Sequence, residues 1–189
     1  MYKKLHIYHV AYGGNVETRF GSPLQTMKMA LQELEKLPGR ITNQSPIYKT
    51  PAFPAGSGPD FANGVFSLES ELSPEQLIAA LHSVEMSFGR ERLTRWGART
   101  LDLDILACDD NILPNKDIWF EWHDLPLDQQ MKTSPDQLVL PHPRLHERAF
   151  VLVPFADVAP NWYHPVLSKT VAEMRDDLPE SLKNEVKPL

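Results

Sequence analysis

Apolar and polar positions along the chain alternate between two periods. Leu5 to Tyr12 is rich in aromatic and β-branched residues and reads as a strand, broken by Gly13-Gly14-Asn15. Ser22-Pro23-Leu24-Gln25 then opens a helix, with serine as cap, proline in the first turn and glutamine closing a capping box. Leu24, Met27, Leu31 and Leu34 follow at helical spacing up to Pro38-Gly39. Ile41 to Thr50 reads as a second strand, with Pro46 marking an edge or a bulge. Pro51 to Asp60 is too rich in Pro and Gly to be regular, and Phe61 to Glu69 resumes as strand. Ser73-Pro74-Glu75-Gln76 repeats the earlier helix start. Leu77, Leu81, Val84 and Phe88 form its apolar stripe, and Gly89 stands where a capping glycine belongs. Thr100 to Ala107 is the next strand. From about Arg144 the pattern is helical, with Pro154 ending or kinking the helix. A last short helix spans Lys169 to Leu178, before a polar tail expected to fray.

The order β-α-β, β-α-β predicts an α+β fold. Its core is ferredoxin-like, βαββαβ, with a four-stranded antiparallel sheet, helices packed on it and further C-terminal helices. A length of 189 residues fits a single domain spanning 1–189. Residues 109–137 break the pattern and read as an inserted hairpin or loop. From 109 to 136 there are seven acids and two lysines, a local charge of −5 against −6 for the chain. Trp119 and Trp122 look exposed there, which suggests a packed surface insertion, a lid or a partner surface.

The acidic balance gives no general sign of nucleic acid binding. No apolar run approaches the roughly 20 residues of a membrane helix. One cysteine, Cys108, points to a reducing compartment, and the N-terminus reads as a strand rather than a signal peptide. A cytoplasmic protein is expected.

The strand at Thr100 to Ala107 carries the chemistry. Leu101, Leu103 and Ile105 share one face, and Asp102 and Asp104 the other. Two like charges spaced about 6.6 Å along a strand repel, so a cationic partner is expected. Arg90, Arg92, Arg95 and Arg99 lie just upstream, four of the 19 basic residues within ten positions. Guanidinium forks suit phosphate, and paired carboxylates suit Mg²⁺ that bridges to phosphates. A surface ion-pair network is the plainer alternative. A metal-dependent phosphodiesterase or nuclease would use the same groups. A ferredoxin-like nucleotide- or pterin-binding module without activity is a non-enzyme alternative.

R-W-G-A-R-T-L-D-L-D-I (95–105) resembles the signature of the 6-hydroxymethyl-7,8-dihydropterin pyrophosphokinase family of folate biosynthesis. Y-K-T-P (48–51), D-F-A-N (60–63), V-E-M-S-F-G-R-E-R (84–92) and P-H-P-R-L-H-E-R-A-F (141–150) resemble other blocks of that family, in its order. The resemblance spans roughly residues 5–165. It implies transfer of pyrophosphate from Mg-ATP to the pterin hydroxymethyl group, with release of AMP, in a protein expected to be a monomer. Asp102 and Asp104 would hold two Mg²⁺ ions. Arg90 and Arg99 would contact phosphate as catalytic arginines, with Arg92, Arg95 and Trp96 on a loop closing over ATP. His82, Glu85, Ile105, His142 and Arg148 would complete the ATP site. Phe61 and Phe150 would sandwich the pterin, Asn63 would read its amide edge, and Thr50, Pro51, Phe53 and Trp96 would line its pocket.

Residue chemistry supports part of this. Two aromatic faces suit a flat heterocycle, and an asparagine side chain both donates and accepts. Core packing for the phenylalanines, a turn at Asn63, a solvated His82/Glu85 pair and a structural His142 are the plainer alternatives. The sequence departs from the family in the long 109–137 connection, in His82 where glutamine is frequent, and in a 90–95 segment one residue shorter than in some relatives. No general base stands out.

Overall fold

The structure, a computed structural model, describes residues 4–52, 56, 58–89, 99–130 and 132–189. Strand β1 (His6–Gly14) leads to helix α1 (Pro23–Leu34), then β2 (Arg40–Gln44), β3 (Tyr48–Thr50) and β4 (Phe61–Ser70). Helix α2 (Pro74–Ser87) and β5 (Asp102–Cys108) follow. Both helices begin with the expected capping box, Ser22 with Gln25 and Ser73 with Gln76. Gly89 takes φ +79° just past the end of α2, a conformation glycine adopts at no steric cost.

The sheet runs β5-β1-β4-β3, and β2 lies end to end with β3 along the same edge of β4. The expected second strand is thus interrupted at 45–47. Pro46 offers no N–H to a ladder, and Ser45 fills the gap by accepting the Val65 N–H on its hydroxyl at 3.0 Å. Counting β2 and β3 as one interrupted strand gives the βαββαβ core. The described sheet has six strands rather than four, because this break adds one and the tail adds another.

The two sheet faces carry two cores. Tyr8, Val10, Tyr12, Phe66, Leu103 and Ile105 pack against α1 and α2. Val65 and Leu106 pack on the other face against α5 (Ala149–Val158) and α6 (Val171–Asp176). A bulge at Leu106, where His9 pairs with Ala107 and Val10 with Ile105, lets β5 serve both cores.

Three expectations are corrected. First, of the hairpin or loop expected at 109–137, the described residues show no hairpin. The segment forms α3 (Lys116–His123) and the single turn α4 (Leu127–Gln130), with Asn115 capping α3. Trp119 is fully buried, its indole N–H donating to the Pro141 carbonyl at 2.7 Å, and Trp122 is half-buried. Second, the helix expected from Arg144 is a 3₁₀ turn at Leu145–Glu147 followed by α5, and Pro154 sits inside α5 without ending it. Burial of Val151, Leu152 and Phe155 around it outweighs the roughly 3 kcal/mol a mid-helix proline costs. Third, the tail is ordered. Helix α7 (Glu180–Asn184) leads into β6 (Lys187–Pro188), which pairs with β3.

Candidate active site

Residues paired directly across antiparallel strands point to the same face. The register sets Asp102 beside Gly13, Gly13 beside Asn63, and Asn63 beside Tyr48. Two residues along β5, Asp104 pairs with Ala11, which pairs with Val65. This is the face that α5 covers, since Val65 belongs to the α5 core. At about 4.8 Å per strand, Asp102 and Asn63 stand roughly 10 Å apart with no side chain between them. Glycine is required there: a Cβ on Gly13 would meet Asn63 Oδ1 at 2.3 Å and the Ala62 carbonyl at 2.9 Å. The row is a floor with an acid at one end and an amide at the other.

Phe61 pairs with Thr50 next to that amide, and the Asn63 side-chain N–H donates to the buried Thr50 hydroxyl at 2.7 Å. Phe150, second residue of α5, is half-buried against the same core. The Arg148 guanidinium at the head of α5 lies 5.8 Å from the Phe150 ring.

The outer edge of β5 opens on a cleft of about 260 Å³ whose lining includes Ile78, Asp104, Ile105, Trp122, His142 and Arg148. The segment around His142 is held against that edge because the His142 N–H donates to the Leu106 carbonyl at 2.8 Å. His142 Nδ1 accepts the Arg144 N–H at 3.1 Å, which leaves its proton on Nε2 as a donor. Burial first, and the Arg148 charge second, push its pKa down to about 3, so the ring stays neutral near pH 7. Burial also pulls the Arg148 guanidinium below its ordinary range, with the Asp104 charge the strongest opposing influence.

Arg99 forms an ion pair with Asp102, the cationic partner expected from the strand pattern. Asn15 fixes this arginine through two bonds: its N–H donates to the Arg99 carbonyl, and its Oδ1 accepts the Arg99 N–H, both at 2.9 Å. Two carboxylates on one strand face are hard oxygen donors that fit Mg²⁺, and Asp102 already takes a cationic partner.

The other expected residues are placed as follows. Glu85 is buried beneath β5, its Oε1 accepting the Leu103 N–H of that edge strand at 2.7 Å, and His82 is half-buried on α2. Thr50 and Pro51 line a separate cleft of about 270 Å³ with Lys49, Asp60 and residues of the tail. Phe53, Arg90, Arg92, Arg95 and Trp96 lie outside the described residues. Sequence reasoning missed Asn15, which reads as a turn residue, and the gap at Gly13, which only strand pairing reveals. It also missed that the insertion supplies Trp122 to the cleft.

Fold and site together define the class: a ferredoxin-like α+β protein with an acid pair and arginines at the sheet edge. Residues 9–160 match the family model of 7,8-dihydro-6-hydroxymethylpterin-pyrophosphokinase (HPPK), and the chain belongs to that family. A 2-amino-4-hydroxy-6-hydroxymethyldihydropteridine pyrophosphokinase of Synechocystis is 35% identical over 166 residues, which are 87% of this chain and 72% of the relative. That of Pseudomonas aeruginosa is 37% identical over 81% of this chain and 80% of its own length. The wild-type HPPK-DHPS of Plasmodium falciparum, solved with pteroate, superposes with a TM-score of 0.66 at 15% identity, over 93% of this chain. This chain spans 43% of that one, less than half of its length. The likeness to that structure concerns the fold.

Proposed function

We propose that the chain, acting as one domain, transfers pyrophosphate from ATP to the hydroxymethyl group of 6-hydroxymethyl-7,8-dihydropterin. The observation that carries this reading is the row Asp102–Gly13–Asn63, which runs from the acid pair to an amide next to Phe61 and bonded to Thr50, with Phe150 half-buried on the core that covers the same face. The pterin lies over Gly13 with its amide edge at Asn63 and its hydroxymethyl group toward Asp102. The adenine enters the cleft against Ile105 and Trp122, within reach of the neutral His142 donor. The hydroxyl oxygen bonds to the β-phosphorus, the bond from that phosphorus to the bridging α-phosphate oxygen breaks, AMP leaves and the hydroxyl proton passes to solvent.

Asp102 and Asp104 would hold Mg²⁺, two ions in our reading, which supplies charge neutralisation and alignment of the phosphates. Arg99 then moves from Asp102 to the transferring phosphate, and Arg148, already drawn to Asp104, binds a neighbouring phosphate. Arg90 joins these as the family resemblance implies. The protein's contribution is positioning and fixed charge.

The test is AMP release from ATP and Mg²⁺ with and without the pterin. AMP that appears only with pterin establishes the transfer. Equal AMP in both, or none from folded protein, overturns it.

A further inference from the structure

A second cluster of reactive side chains lies at the opposite end of β5 and on the opposite face. His6 opens β1, Cys108 ends β5, and Asp109 follows it. Asp104 is four residues away, about 13 Å along the strand. Neighbouring strand residues ordinarily point to opposite faces. Asp109 has φ +49°, a left-handed turn that brings its carboxylate round to the side of Cys108. The donor atoms of His6, Cys108 and Asp109 lie within 4.8 Å of one another.

We propose that His6 Nδ1, Cys108 Sγ and the Asp109 carboxylate form a binding site for one thiophilic divalent cation of the Zn²⁺ kind. Nδ1 stands 2.8 Å from Asp109 Oδ2 and 3.7 Å from Cys108 Sγ. A single N–H cannot align with both, whereas a cation satisfies all three donors. Tetrahedral Zn²⁺, with bonds near 2.0–2.3 Å, spaces its donors about 3.3–3.8 Å apart. The sulfur–nitrogen distance already fits, and the His6–Asp109 contact has to open by roughly 0.5 Å.

Outer partners are in place. Asp109 Oδ1 accepts the Ile7 N–H at 2.8 Å, and the Asn111 amide donates to Cys108 Sγ at 3.5 Å. His6 and Asp109 are partly exposed, leaving the fourth position to solvent. The Lys4 ammonium lies 3.5 Å from Asp109 on an exposed stem that swings clear when a cation neutralises the carboxylate. On binding, the S–H bond breaks, the sulfur–metal bond forms and the thiol proton passes to solvent. The imidazole proton moves to Nε2. Mg²⁺, which prefers oxygen donors, is not expected here, so this site is chemically distinct from Asp102 and Asp104.

Cys108 is the chain's only cysteine, so a sulfur-to-cobalt charge-transfer band reports this site whatever Co²⁺ does elsewhere. Titration of the intact protein with Co²⁺ is expected to raise that near-ultraviolet band to saturation at one ion, with Zn²⁺ displacing it. Cys108→Ser is expected to abolish the band. His6→Ala is expected to weaken cobalt binding by more than about tenfold. Asp104→Asn is expected to leave the band unchanged, and His6→Ala to leave pyrophosphate transfer unchanged. No band in the wild type, or full cobalt affinity in His6→Ala, overturns the proposal. If Cys108→Ser fails to fold, His6→Ala decides, since His6 sits half-buried at a strand start.

Discussion

Gly13 and Asp104 do opposite things on the same sheet face: one supplies a charge, the other an absence. Asp104→Ala is expected to cut AMP formation by about a thousandfold, the scale of several kcal/mol of charge stabilisation. Its melting temperature should hardly move, and a rate within tenfold of wild type would remove the carboxylate from the phosphate chemistry. Gly13→Ala drives a methyl into Asn63 and the Ala62 carbonyl. We expect a loss of about 1–3 kcal/mol in stability and of pterin-dependent turnover, with ATP affinity retained in the cleft. Equilibrium titration with each substrate separates the two effects. Unchanged pterin affinity would show that the row is not the pterin floor.

At the scale of elements, α3 is what ties the insertion to the cleft. Trp119 is the buried residue of that helix, stacked on His123 and bonded to the Pro141 carbonyl. Trp119→Phe leaves that carbonyl without its donor and is expected to lower stability by about 1–3 kcal/mol, read as a shift in the urea midpoint. Trp122→Ala is expected to raise KM for ATP by about tenfold with kcat nearly intact, since base stacking is worth about 1–3 kcal/mol. An unchanged KM would place the base elsewhere. These elements also mark how far the chain can be read unaided. The two capping boxes, the β5 alternation and the acid–arginine partnership are local and were legible. Helix α3 was not, because one inward tryptophan makes no stripe. Neither was β6, because a Lys-Pro dipeptide becomes a strand only when β3 is there to pair with it. Likewise Trp122 and Asp104 share a cleft only because the chain returns along the outer edge of β5.

The whole molecule carries buried neutral histidines whose titration opposes folding in acid. His9, bonded to the Ser67 hydroxyl at 2.9 Å, and the fully buried His164 each have their pKa pushed down to about 4, chiefly by burial. In the unfolded chain both titrate near 6.5. The unfolded state therefore binds more protons between these values. The stabilisation is complete above pH 6.5 and is lost as pH falls toward 4. Each group is expected to contribute about 1.4 kcal/mol per pH unit in that window. Urea midpoints from pH 7 to 5 should fall, and replacing His164 with a neutral aromatic should flatten the slope. An unaltered slope would move the acid sensitivity to other groups.

The two-residue strand β6 has a further consequence. It runs along β3, and beyond it the Leu189 N–H donates to the Ile47 carbonyl at 2.9 Å, so the outer side of β3 is already engaged. Without that cover, β3 would present its unpaired backbone to other chains and become a template for intermolecular growth. The tail thus covers an edge that would otherwise invite pairing. Chains shortened before Lys187 should scatter light and bind fibril dyes on mild warming, at temperatures where the full chain stays clear.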